Sequence, residues 1–369
     1  MKTYAKILIL LSIFLLVFLS GIFVSTYQIF PFDFLKSIKN ELTMNTSKTS
    51  YESNDVISLI HATDTTSIDN LKTDLNLFLW NQQYIPNKIP QKIEKSFKDV
   101  RYQNMNNLDS IEKITIDMEF GINSVAYFFK PNESNNKLVI YHQGHRGDFF
   151  EGKETIEYFL EKNYSVVAFS MPLLGLNHQP IIEHSNFGKI QIISHNQLEL
   201  LENENFSTIK FFVEPIIVTI NYLEEQYTFD SYHMIGISGG GWTTTLVAAL
   251  DDRINESFSV AGSYPIFLRN DSKNFGDYEQ HHLELYELAN YLDLYVMAST
   301  GLDRKFVQIF NLYDPCCFDG NSFEEYEDEI TQIVEKSGNG HFKIYLDQTH
   351  KEHIISEHAL EIIINEITD

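Results

Sequence analysis

From about Ile111 onward the chain alternates between short apolar runs rich in Val, Ile, Phe and Tyr and stretches in which apolar positions recur at helical spacing. Such alternation predicts a mostly parallel sheet with helices on both faces, an α/β fold. Lys113–Phe120 and Ser124–Phe129, joined at Gly121-Ile122-Asn123, predict a hairpin leading into the sheet. Lys137–Tyr141 predicts a buried strand ending at His142-Gln143-Gly144-His145; a helix over Glu151–Lys162 and a strand over Ser165–Phe169 follow. Phe206–Glu225 predicts a long helix, bent near Pro215, that feeds a strand at His233–Ile237 and then a helix at Trp242–Leu250. Phe258–Gly262, Phe306–Leu312 and His341–Leu346 predict further strands, and an amphipathic helix runs to Ile367.

Before residue 111 the pattern is different. Ile7–Val24 is apolar apart from Ser12, Ser20 and Gly21, and Lys2 and Lys6 precede it. About 20 apolar residues are what a helix needs to cross a bilayer, so an N-terminal transmembrane helix is expected within residues 1–26. The leading lysines place the rest of the chain on the outer face, although Lys36 and Lys39 weigh against that orientation. No small-x-small cleavage site follows in Ser25-Thr26-Tyr27-Gln28, which favours an uncleaved signal anchor in the membrane over a secreted or periplasmic product. Residues 27–110 lack glycine, are rich in Asn, Ser, Thr and Lys, and contain the amphipathic run Ile68–Trp80; they read as a stalk and a helical N-terminal region. The main domain spans 111–369, with cap insertions at about 173–205 and 264–302.

Composition narrows the function. With 369 residues, 43% of them hydrophobic, the chain has the material for one large core rather than a disordered ensemble. Lys and Arg total 27 against 51 Asp and Glu, so the formal charge of -24 repels a phosphate backbone and argues against nucleic-acid partners. Cys316 and Cys317 are adjacent and cannot staple distant parts of the chain.

Chemistry is visible first at Gly236-Ile237-Ser238-Gly239-Gly240-Gly241, a G-x-S-x-G pattern between an apolar strand and a good helix. Both flanks matter, because a nucleophilic serine on a tight strand-to-helix turn needs neighbours with almost no side chain. The backbone N–H of Gly239 at the helix start then faces a developing oxyanion.

This segment, GISGGGW followed by Ala248-Ala249-Leu250-Asp251-Asp252-Arg253-Ile254, resembles the α/β-hydrolase superfamily, and in particular its bacterial esterase and serine-peptidase-like members. The resemblance covers roughly residues 111–369; it is specific for the fold and the nucleophile and weak for the substrate. It implies a second oxyanion donor in the loop after an early strand, where this chain reads Tyr141-His142-Gln143-Gly144-His145-Arg146-Gly147. Gln143 stands where the family motif has histidine, and the backbone N–H of His145 is the candidate donor. Asp314, in Tyr313-Asp314-Pro315 at the end of a predicted strand, occupies the acid's place; Asp319 is the reserve. The family histidine falls in the last loop, which offers His353, preferred because it lies three residues before the probable N-cap Ser356, and His350 as the alternative.

The resemblance therefore implies a serine hydrolase that cleaves a small-molecule acyl ester through a Ser-His-Asp triad and needs no cofactor. An exopeptidase or amidase with the same triad, and a catalytically inactive binding protein of the same fold, are the alternatives. In the second insertion Asp277 and Glu279, with His281 and His282, are candidate substrate contacts, as is Trp242 beside the elbow; a solvated helix start explains the charged ones nearly as well. The first insertion carries His178, His184 and His195, from which no ligand can be deduced. No metal site is expected, since His142 and His145 lack further ligands at suitable spacing.

Overall fold

The computed structural model describes residues 53–368, together with residues 6, 12 and 14–21. The chain divides into two compact units, Met1–Glu52 and Ser53–Asp369. In the first, residues 14–21 are helical. The expectation of a membrane-spanning helix over Ile7–Val24, and with it a signal anchor and a membrane partner, is corrected: among the described residues no helix is long and apolar enough to cross a membrane. Apart from Ser12 and residues 14–21, that apolar run lies outside the described residues.

The second unit opens with helices α1 (Ser53–Ser58) and α2 (Thr65–Trp80). α2 starts on a capping box in which Asp64 accepts from the Ser67 N–H and Ser67 Oγ accepts from the Asp64 N–H; it buries Leu75 and Leu79. Strands β1 (Lys92–Phe97), β2 (Leu108–Asp117) and β3 (Asn123–Pro131) follow, β2 and β3 forming the expected hairpin with Asp117 opposite Asn123. β1 lies in the stretch that reads as helical from sequence. Its residues KIEKSF sit at the sheet edge with no fully buried position, so neither face imposes an apolar alternation.

The chain continues through β4 (Lys137–His142), α3 (Lys153–Glu161), β5 (Ser165–Phe169), a small separate hairpin of β6 (Ile181–His184) and β7 (Gly188–Gln191), α4 (Lys210–Gln226), β8 (Ser231–Ile237), α5 (Gly239–Leu250) and β9 (Ile254–Val260). The second insertion contains α6 (Leu283–Leu288) and α7 (Tyr291–Ser299), and the domain closes with β10 (Lys305–Asn311), α8 (Glu327–Ser337), β11 (His341–Asp347) and α9 (Glu357–Thr368). The helical pattern of Leu283–Ala298 is split because Asn290 caps a new helix, its side chain accepting from Leu292 N–H at 2.8 Å.

The sheet order is β1-β2-β3-β5-β4-β8-β9-β10-β11, antiparallel at the β1–β3 end and parallel from β5 to β11. α3 and α9 bury Ile156, Phe159, Leu160, Ala359 and Ile363 in the core on one face; α4 and α5 belong to the other, and α5 packs on β8 and β9. Strands covered on both sides have no wet face, which is why β4 and β5 read as nearly continuous apolar runs. Since β4, β8, β10 and β11 are parallel, His142, Ile237, Asn311 and Asp347 end at one edge of the sheet, and the loops that follow them meet there.

Candidate active site

Ser238 directly follows β8 and takes φ 57°, ψ -125°, a region a side-chain-bearing residue occupies only under constraint. The constraint is visible: the Ser238 N–H donates to Val260 O at 2.9 Å and its carbonyl accepts the Trp242 N–H at 3.0 Å. The glycines around it are required by closeness. A Cβ on Gly236 would sit 2.1 Å from Gly240 O, and one on Gly240 would sit 2.1 Å from His142 O. α5 begins at the next residue, so the N–H groups of its first turn point toward the serine with no partner from within the helix.

Asp314 follows β10 and is almost completely buried. One oxygen, Oδ1, accepts the backbone N–H groups of Cys316 at 2.8 Å and Cys317 at 3.3 Å; the other, Oδ2, meets His353 Nδ1 at 2.7 Å and accepts from Asn311 Nδ2 at 3.2 Å. Asn311 Nδ2 also reaches Ile354 O at 3.2 Å, tying the end of β10 to the histidine loop. Cys316 and Cys317 form a disulfide, and the turn they make folds their N–H groups onto the carboxylate. With Nδ1 committed to Asp314, His353 Nε2 is buried and has no hydrogen-bond partner among the described residues. His350 is placed elsewhere, its Nε2 3.3 Å from Asp347 Oδ2. Asp319 is also engaged, with Lys273 Nζ at 2.8 Å.

Ser238 and His353 line one cavity of about 360 Å³ with Gln143, Gly144, His145, Arg146, Ile237 and Cys316. The loop after β4 crosses close over the serine: a Cβ on Gly144 would lie 2.8 Å from Ser238 Cβ and 2.7 Å from Ile237 O, so only glycine lets the backbone through. The imidazole of His142, just before this loop, is buried, and burial pushes its pKa down to about 4, leaving it neutral.

Among the candidate substrate contacts, none lines this cavity. Trp242 is buried, donates from Nε1 to Tyr286 OH at 2.7 Å and packs edge-on against Phe212. His282 is buried with Nε2 3.3 Å from Glu202, while His281 stacks on Phe275. Asp277 and Glu279 instead face His145 and His195, four residues brought together from well-separated parts of the chain. Burial alone would raise the Glu279 carboxyl and lower the His195 imidazole; their mutual attraction overrides it, leaving Glu279 well below and His195 above the ordinary values. Asn311, the paired cysteines and His195 had no motif to mark them in the sequence. The one usable signal was the three-residue spacing of Asn311 and Asp314 across a strand end.

A parallel sheet whose carboxyl edge presents a strained serine, followed by a helix N-terminus and flanked by a carboxylate–imidazole pair, defines a fold class, and the chain has the α/β-hydrolase fold. No family model and no curated protein matches the sequence. In three dimensions it is similar to the acetyl xylan esterase from Paenibacillus sp. R4, with 14% identity, a TM-score of 0.55, and coverage of 86% of this chain and 99% of that one. It is also similar to acetyl xylan esterase 1 from a Thermoanaerobacterium species, with 12% identity, a TM-score of 0.53 and coverage of 86% and 98%. For an esterase from Pyrococcus furiosus the values are 13%, 0.50, 76% and 98%. Likeness at this level of identity is a likeness of fold.

Proposed function

We propose that this protein is a serine hydrolase that cleaves carboxylic esters of small acyl groups through an acyl-enzyme on Ser238. Ser238 Oγ attacks the ester carbonyl and passes its proton to His353 Nε2, while Asp314 holds the Nδ1–H and stabilises the imidazolium. The N–H groups of Gly239 and His145 receive the oxyanion. His353 then returns the proton to the leaving alcohol, and a water, deprotonated by the same imidazole, releases the acid and restores the serine hydroxyl.

The observation that carries this reading is the 2.7 Å contact between His353 Nδ1 and Asp314 Oδ2, which leaves the opposite ring nitrogen unpartnered in the cavity that Ser238 lines. Esters are favoured over amides because the structural relatives are named as esterases. A cavity of about 360 Å³ suits short acyl groups, being near the lower end of the ligand-pocket range of about 300–1,000 Å³. Of the two placements read from the sequence, the secreted or periplasmic one requires no spanning helix and is the one proposed.

Labelling with a fluorophosphonate and turnover of p-nitrophenyl esters of increasing chain length test the proposal together. Wild-type protein is expected to label and to prefer acetyl and butyryl esters. Ser238→Ala is expected to lose labelling and at least about a thousandfold in rate. A folded wild type that neither labels nor hydrolyses any ester or aminoacyl amide would identify a binding protein on a hydrolase fold.

A further inference from the structure

His145 follows β4, His195 lies in the first insertion, and Asp277 and Glu279 lie in the second; their ligand atoms all fall within 4.8 Å of one another. His145 Nε2 is 3.0 Å from His195 Nδ1, 2.9 Å from Glu279 Oε1 and 3.3 Å from Asp277 Oδ2. His195 Nδ1 is 3.8 Å from Asp277 Oδ2 and 3.3 Å from Glu279 Oε2. Four ligands held tetrahedrally at about 2.0–2.1 Å from one ion stand roughly 3.3–3.4 Å apart, and the separations here, from 2.9 to 3.8 Å, bracket that spacing.

The hydrogen bonds among these side chains do not engage every buried atom. His195 Nε2 lies 2.9 Å from the carbonyl of Pro172; with its proton donated there, the Nδ1 lone pair is aimed into the cluster. Two ring nitrogens 3.0 Å apart have room for at most one hydrogen between them. Glu279, whose side chain is 0% exposed, keeps Oε2 without a hydrogen-bond partner among the described residues, 3.3 Å from His195 Nδ1. A buried carboxylate oxygen in that condition is costly unless a cation takes it.

We propose that His145, His195, Asp277 and Glu279 form a binding site for one divalent transition-metal ion, of which zinc fits the two-nitrogen, two-oxygen tetrahedral set. The ion clamps both cap insertions onto the loop after β4. The His145 ring lies directly over the elbow, where a Cβ on Gly239 would approach its Cε1 to 2.3 Å. Holding that ring holds the backbone of the same residue. The other cluster of possible ligands, Cys316, Cys317 and His353, offers no thiolate, because its sulfurs are bonded to each other.

Full-length protein stripped with chelator and dialysed against Zn²⁺ is expected to bind one equivalent saturably and to melt at a temperature that rises with free zinc. Co²⁺ in its place is expected to give the intense visible bands of a four-coordinate site. Asp277→Asn removes the half-exposed ligand without opening the interior, and Glu279→Gln keeps the side chain's shape. Each is expected to weaken binding at least about a hundredfold, beyond the 10–100-fold typical of losing an outer-shell partner. No saturable uptake by wild-type protein overturns the proposal, as does full affinity in both variants. Uptake lost only with Cys316→Ser assigns the ion to the cysteines and overturns it too. None of these readouts depends on Ser238, so failure of the metal site and failure of the esterase reading are told apart by fluorophosphonate labelling.

Discussion

Replacing Asp314 by asparagine probes the site most sharply, because the surrounding hydrogen bonds dictate how the amide must sit. Oδ1 accepts two backbone N–H groups, from Cys316 at 2.8 Å and Cys317 at 3.3 Å, and only an oxygen satisfies both. The amide nitrogen is thereby forced into the Oδ2 position, where it points a hydrogen at His353 Nδ1 across the present 2.7 Å contact. The imidazole must then carry its proton on Nε2, the nitrogen that has to accept one from the serine. A triad in the wrong tautomer loses about 10⁴ in kcat, equivalent to about 5.4 kcal/mol of transition-state stabilisation. The assay is kcat for p-nitrophenyl acetate, with the rate of fluorophosphonate labelling as a second readout. Circular dichroism is expected to be unchanged, since the two N–H bonds that shape the loop persist. Activity of the folded variant within about tenfold of wild type would refute the claim that Asp314 fixes the histidine tautomer.

His353→Ala is expected to lose about 10³-fold or more in kcat, whereas His350→Ala, removing a ring that meets Asp347 instead, is expected to stay within a fewfold of wild type; the reverse order in the same assay would exchange their roles. Burial alone would raise the Glu366 carboxyl, but hydrogen bonds from Lys305, Lys343 and Tyr345 outweigh it and hold it at about 2, below the ordinary 4.5. A depressed carboxylate contributes stability that is present above about pH 4.5 and is lost as pH falls through about 2. The melting-temperature gap between wild type and Glu366→Gln is therefore expected to be widest above about pH 5 and to close on acidification toward pH 2; a gap that stays constant would contradict the assignment.

The legible parts of this fold are those where one physical demand acts on consecutive residues. Strands buried on both faces show as unbroken apolar runs, as in Leu138–Tyr141 and Val166–Phe169, and the crowded turn at Ser238 shows as a run of glycines. β1 was missed because an edge strand with two wet faces has no such demand. The apolar N-terminal run was legible as hydropathy, yet hydropathy alone does not establish a spanning helix. The choice between His350 and His353 stayed open because both lie in one loop. The fold separates them by partner: β10 and β11 set Asn311 opposite Asp347, with His353 on Asp314 and His350 on Asp347.

The four residues around His195 were illegible for a deeper reason: positions 145, 195, 277 and 279 share no period, and only the folding of two insertions over the sheet edge brings them together. Those insertions are not independent lids. The Tyr278 N–H donates to Asn196 Oδ1 at 2.9 Å, and the Tyr278 hydroxyl meets Glu202 and, at 3.2 Å, Thr208, so Tyr278 ties the second insertion to the end of the first and the residues just after it. Arg269 fixes the start of the second insertion to its own body through Gln280 O at 3.3 Å and by lying 4.4 Å over the Tyr291 ring. Both segments also meet the loop after β4 at His145. Because the same residue's backbone is the proposed oxyanion donor, the proposed metal site and the proposed transition-state stabilisation at Ser238 share one mechanical element.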